Sequence, residues 1–131
     1  MRIMTDTNVL LSALVFNSSK MATLIEYVAR EHTLVLCSYI IDEAYDVITR
    51  KSSKYKPALD VFLSKMPFEM VYTPKVLDKF PQVRDKKDTP ILASAITADV
   101  DILITGDGDF SEVEIERPEI LTPSEFVRQY M

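Results

Sequence analysis

The chain has 131 residues, 15 basic and 20 acidic, for a net charge of -5, and 47% of its residues are hydrophobic. That balance fits one globular domain spanning 1–131, able to bury roughly two thirds of its unfolded surface, and it excludes a disulfide scaffold because Cys37 is the one cysteine. No apolar stretch approaches the roughly 20 residues of a membrane span, and a single cysteine suits a reducing, cytoplasmic setting. The acidic excess argues against a general nucleic-acid binder, unless carboxylates gather divalent cations that reverse the local field.

In chain order, Arg2 to Thr5 reads as a short strand. Val9 to Phe16 is largely apolar, but Asp6 and Asn8 stand where a signal peptide would carry positive charge. Ser18 and Ser19 can cap a helix with Met21, Leu24, Ile25 and Val28 on one face. Thr33 to Cys37 is a β-branched and apolar run, read as a buried strand, and Ser38 is expected to cap the helix that follows, with Ile40, Ile41, Ala44, Val47 and Ile48 inward. Leu59, Phe62, Leu63 and Met66 keep helical spacing, whereas Phe68, Met70 and Tyr72 alternate as in a strand. Asp88 to Ala98 reads as a helix, Asp101 to Thr105 and Ile120 to Thr122 as strands, and Ser124 to Tyr130 as a closing helix. Strands alternating with helices imply an α/β fold, a three-layer α/β/α sandwich with a four- to five-stranded, mainly parallel sheet. In such folds ligands bind beyond the carboxyl ends of the strands, so functional residues are expected there.

Four acids fall near that edge. Asp6 follows the first strand, where it can cap a helix or bind a cation. Glu43 lies beside the apolar stripe of its helix, and a carboxylate there needs either a partner or access to solvent. Asp88 opens its helix ahead of Pro90, a pattern that capping explains directly. Asp107 stands between Gly106 and Gly108, the only glycines of the chain, which suggests a positive φ or a close approach of backbone to ligand. If these carboxylates converge they raise one another's pKa, and hard divalent cations are the natural compensation. Asp85 and Asp109 are nearby reserves. Zinc is disfavoured, since His32 and Cys37 are the only residues of their kinds and His32 is expected at a helix end. Two glycines cannot supply a Walker loop or a Rossmann fingerprint, and no nucleophile elbow is present.

Taken in order, Asp6-Thr7-Asn8-Val9-Leu10, Glu43 in Ser38-Tyr39-Ile40-Ile41-Asp42-Glu43, Asp88-Thr89-Pro90-Ile91-Leu92-Ala93-Ser94-Ala95 and Thr105-Gly106-Asp107-Gly108-Asp109-Phe110 resemble the motifs of PIN domains over nearly the whole chain. The subgroup most resembled is that of prokaryotic toxins of toxin–antitoxin pairs. The resemblance implies a Mg²⁺- or Mn²⁺-dependent endoribonuclease, usually a homodimer and often restrained by a cognate antitoxin. Asp6, Glu43, Asp88 and Asp107 would be its catalytic, metal-binding acids, with Asp109 a further ligand and Asn8 and Thr105 orienting residues. Arg84, Lys86 and Lys87 would touch RNA phosphates. Two other readings fit the first motif: a non-catalytic PIN-like binding module, and a phosphatase resembling haloacid dehalogenases, although that family has a second Asp where this chain has Asn8.

Overall fold

A computed structural model of the chain describes residues 1–15 and 18–131, with only the backbone of Ser111. Phe16, the end of the first apolar run, lies outside the described residues. Five strands, β1 (Arg2–Thr5), β2 (Thr33–Cys37), β3 (Glu69–Val71), β4 (Ile102–Ile104) and β5 (Glu119–Leu121), form one parallel sheet in the order β3-β2-β1-β4-β5. Among the described residues six α-helices connect and follow them: α1 (Thr7–Leu14), α2 (Ser19–Glu31), α3 (Ser38–Lys51), α4 (Lys56–Lys65), α5 (Thr89–Thr97) and α6 (Pro123–Tyr130). The α/β fold expected from alternating elements is the one observed.

Register explains why the central strands are apolar throughout. Ile3 pairs with Leu34 on one side and Ile102 on the other. Ile3, Met4 and Thr5 are wholly buried, so both faces of β1 are covered. The edge strand β3 behaves differently. Of the alternating run Phe68, Met70 and Tyr72 only Met70 lies within the strand, burial does not alternate along it, and Met70 and Tyr72 are exposed at this edge of the sheet. At the amino edge Arg2 binds the Glu69 carboxylate at 2.7 Å, and the Arg2 amide donates to Asp101.

Helix ends follow local chemistry in some cases and distant chemistry in others. Ser18 caps α2 by accepting from the Met21 amide. Thr122 and Glu125 form a reciprocal capping box on α6. Helix α5 ends at Ala98 and Asp99, which takes a left-handed φ of 53°, a conformation that Asp tolerates better than most residues. Ser38 does not cap α3 as expected. Cys37 holds the cap position without a side-chain bond, and the Ser38 hydroxyl instead accepts from the Thr73 amide at 3.0 Å. Thr73 returns the contact, its Oγ1 accepting from the Tyr39 amide at 3.1 Å. One orphan N–H of α3 is thus satisfied from a segment 34 residues away.

The chain runs from β1 outward to β2 and β3, then returns to place β4 on the other side of β1. That reversal opens a crevice at the carboxyl ends of β1 and β4, where ligands bind in open parallel sheets.

Candidate active site

Asp6 leaves β1 at this crevice, its amide donating to the Ile104 carbonyl at 3.1 Å and so holding it beside the end of β4. Its carboxylate does two jobs. Oδ1 caps α1 by accepting from the Val9 amide at 2.9 Å, and Oδ2 accepts from the Thr105 hydroxyl. Asp6 is buried, and burial pushes its carboxyl pKa upward against the opposing pull of Thr105 and Val9. Thr105 also accepts from the Asp107 amide at 3.0 Å, so one hydroxyl braces both Asp6 and Asp107. Asp107 in turn accepts from the Asp109 amide at 2.8 Å, setting up the short 3-10 turn Gly108–Glu112.

Asp88 stands at the N-cap position of α5 but makes no capping bond. Its Oδ2 is buried with no hydrogen-bond partner. The capping role expected from sequence is therefore absent, and the carboxylate is turned to other acids. Asp85, Asp88, Asp107 and Asp109 each present an oxygen, and these four atoms lie within 4.8 Å of one another. Desolvation, then a hydrogen bond and repulsion from Asp107, push the Asp88 pKa up to about 8. Asp107, receiving that hydrogen bond, is held below the usual carboxylate range. Burial and the neighbouring Asp107 thus favour the neutral form of Asp88, and Asp107 stays ionised.

This donor set fits a hard divalent cation. It consists of carboxylate oxygens alone, one of them buried and unsatisfied, with no thiol or imidazole in the cluster.

The remaining sequence candidates fall around this centre. Glu43 lies outside the cluster and accepts from the Tyr39 hydroxyl at 3.3 Å. Burial pushes the Tyr39 phenol up to about 12, with further contributions from Glu43, Asp88 and Asp85, so Tyr39 lies near both Glu43 and the acids. Asn8 is exposed on α1. Arg84 reaches Asp109 at 4.0 Å and Glu112 at 3.8 Å, and Lys86 and Lys87 are exposed beside it. Asp85, only a reserve in the sequence reading, is a member of the cluster and its exposed one. Its Oδ1 accepts from the Lys87 amide and its carbonyl from the Asp88 amide, which folds the loop back onto α5. The argument from glycine conformation does not hold. Neither Gly106 nor Gly108 has a positive φ, and a Cβ at either would meet nothing within 4 Å. Both line an open cleft of about 450 Å³ at the carboxyl ends of β4 and β5. His32 ends α2, as expected, with Nδ1 3.2 Å from the terminal amine.

The parallel sheet with acids gathered at its switch point defines an α/β protein whose candidate site lies at the carboxyl edge of the sheet. The chain belongs to the PIN domain family, whose model matches residues 2–109, a span containing every acid of the cluster. Two solved structures share its fold. One is VapBC2 from Rickettsia felis bound to a DNA fragment from their promoter, 20% identical, with a TM-score of 0.72, covering 92% of this chain and 97% of that one. The other is VapC20 of Mycobacterium tuberculosis, described as a Sarcin-Ricin loop cleaving toxin, 16% identical, with a TM-score of 0.59, covering 86% of this chain and 98% of that one. Among curated proteins, none is similar to the chain.

Proposed function

We propose that this protein is a divalent-cation-dependent endoribonuclease that hydrolyses RNA phosphodiester bonds and acts as the toxin of a toxin–antitoxin pair. The observation that carries the reading is the set of four carboxylates within 4.8 Å at the carboxyl edge of a PIN-domain sheet. Asp85, Asp88, Asp107 and Asp109 would hold Mg²⁺ or Mn²⁺. Asp6, fixed by Thr105 and the start of α1, borders them from behind, and Glu43 borders them through Tyr39. Bound there, such ions activate water and neutralise charge developing on the phosphoryl oxygens. The chain supplies position. Thr105 holds Asp6 and Asp107 in fixed relation, the Asp107–Asp109 turn aims two carboxylates together, and Asp88, neutral in part because its pKa is raised, would release its proton to solvent on becoming a ligand.

The toxin role and a cognate antitoxin draw support from the family and from fold neighbours described as VapBC2 and as a Sarcin-Ricin loop cleaving toxin; a homodimeric state and a cytoplasmic setting belong to the same reading. No single helix among the described residues is long and apolar enough to cross a membrane. The direct test is cleavage of RNA by the purified protein in Mn²⁺ or Mg²⁺. Asp107→Asn is expected to abolish cleavage, and excess EDTA to stop it. Undiminished cleavage in either case ends this reading, and hydrolysis of small phosphoesters without RNA cleavage transfers the site to a phosphatase.

A further inference from the structure

Following the carboxyl edge in strand order, Tyr72 comes after β3, Tyr39 after β2, Asp6 after β1, and Thr105 to Asp107 after β4. Two aromatic residues thus lead along one edge to the acids. Neighbouring strands lie about 4.8 Å apart, so Tyr72 stands two strand spacings, about 10 Å, from the end of β1. Tyr72 is 79% exposed, and Met70 and Val76, in the same short segment, are 40% and 62% exposed. A lone exposed apolar residue needs no explanation, but three within residues 70–76, in an edge strand and the loop after it, do. The base of this patch is rigid. Thr73, next to Tyr72, is tied to the Tyr39 amide, to the Ser38 hydroxyl and to the Ser94 hydroxyl of α5.

Charge supplies the second observation. Residues 72–87 carry five basic and two acidic side chains, in a chain whose net charge is -5. Arg84 is engaged with Asp109 and Glu112, but Lys75, Lys79, Lys86 and Lys87 are exposed, and among the described residues none of them is in an ion pair. In sequence, these exposed lysines span the stretch from Tyr72 to the cluster acids Asp85 and Asp88.

We infer that residues 72–87 form a track for single-stranded RNA, with Tyr72 stacking on an unpaired base near the scissile phosphate and Lys75 and Lys79 meeting the backbone. The inference rests on the nuclease reading for its orientation. Single-stranded nucleic acid is held by this combination, cations following the backbone and an aromatic face accepting a base of any kind. Paired bases in an A-form helix offer no such face, so the track selects unpaired segments such as loops.

The test uses a labelled, mixed-sequence RNA of about 16 nucleotides, alone and annealed to its complement. Binding is read by anisotropy in EDTA and cleavage in Mn²⁺. Tyr72→Ala is expected to weaken single-strand binding and raise KM about 5- to 100-fold with kcat retained, while Tyr72→Phe stays within about twofold of the natural protein. Lys75→Ala and Lys79→Ala should each lower the slope of log affinity against log salt by about 0.7. Duplex binding should be unaffected by Tyr72→Ala. If Tyr72→Ala binds and cleaves the single strand like the natural protein, the track is overturned and the patch belongs to a protein partner. If the natural protein binds RNA through Tyr72 but never cleaves it, the track stands and the nuclease reading falls.

Discussion

Thr105 shows how one side chain can set the geometry of a site without touching a ligand. Its hydroxyl donates to Asp6 and accepts from the Asp107 amide, and it is buried with Asp6. Thr105→Val keeps the shape and removes both bonds, leaving a buried carboxylate oxygen without its donor. The expected loss is about 1–3 kcal/mol of stability in urea unfolding, together with a fall in RNA cleavage. Thr105→Ser, which restores the hydroxyl, should recover most of both. Equal melts for Thr105→Val and the natural protein would show that the bonds contribute nothing. Asp88 makes a prediction of opposite sign. Its folded-state pKa of about 8 lies above the ordinary value of 3.8, so its contribution is fully present below that value and is lost as pH rises through about 8. Asp107, held low, acts only below the ordinary range and does not enter this window. In EDTA the stability of the metal-free protein should therefore fall between about pH 5 and pH 9, and Asp88→Asn should flatten that slope while abolishing cleavage. Parallel slopes for the two proteins would mean that Asp88 holds no proton in this range.

At the level of the element, α1 is where fold and site are hardest to separate, because Asp6 is both its N-cap and a neighbour of the cluster. Two substitutions separate the roles. Asn caps a helix about as well as Asp, so Asp6→Asn is expected to leave thermal stability nearly unchanged and remove cleavage. Asp6→Ala loses the cap as well, costing about 1 kcal/mol more in the same melts. If Asp6→Asn cleaves RNA normally, Asp6 is only a cap. Most elements were legible in the sequence because buried parallel strands are continuous apolar runs, as in Leu34 to Cys37, and because Ser18 announces α2 through its own hydroxyl. The ordered acids were legible for a related reason: strand ends are visible, and the carboxyl edge follows from the topology. What escaped the sequence depends on contacts between distant segments. The exchange between Ser38 and Thr73 cannot be inferred from either neighbourhood, and Asp88 has the local pattern of a cap yet makes no capping bond. Glu43, placed among the acids by its motif, lies outside the four-acid group and accepts from Tyr39, a contact its own neighbourhood does not announce. The two glycines pointed to the right loop for the wrong reason, since what they contribute is open space rather than an unusual φ.

For the whole molecule, the charge that first argued against a nucleic-acid enzyme is best understood as unequally distributed. Acids converge at the switch point, and the segment leading to them is basic. The folded protein therefore stores like-charge repulsion at the site, and a cation that binds only the folded state relieves it. Binding of this kind raises stability by about 2.7 kcal/mol when the free ion is at one hundred times its dissociation constant. Mg²⁺ or Mn²⁺ should raise the thermal midpoint. The rise should be greater near pH 8.5 than near pH 6, since about one proton must leave the Asp88–Asp107 pair for the ion to enter and that proton is already gone at the higher pH. Thermal melts at both pH values, with sodium chloride matched for ionic strength, measure this directly. Asp107→Asn should lose most of the rise without losing the fold. A rise reproduced by sodium chloride, or one independent of pH, would mean that the acids feel only general screening and that the cluster is a surface feature rather than a binding site.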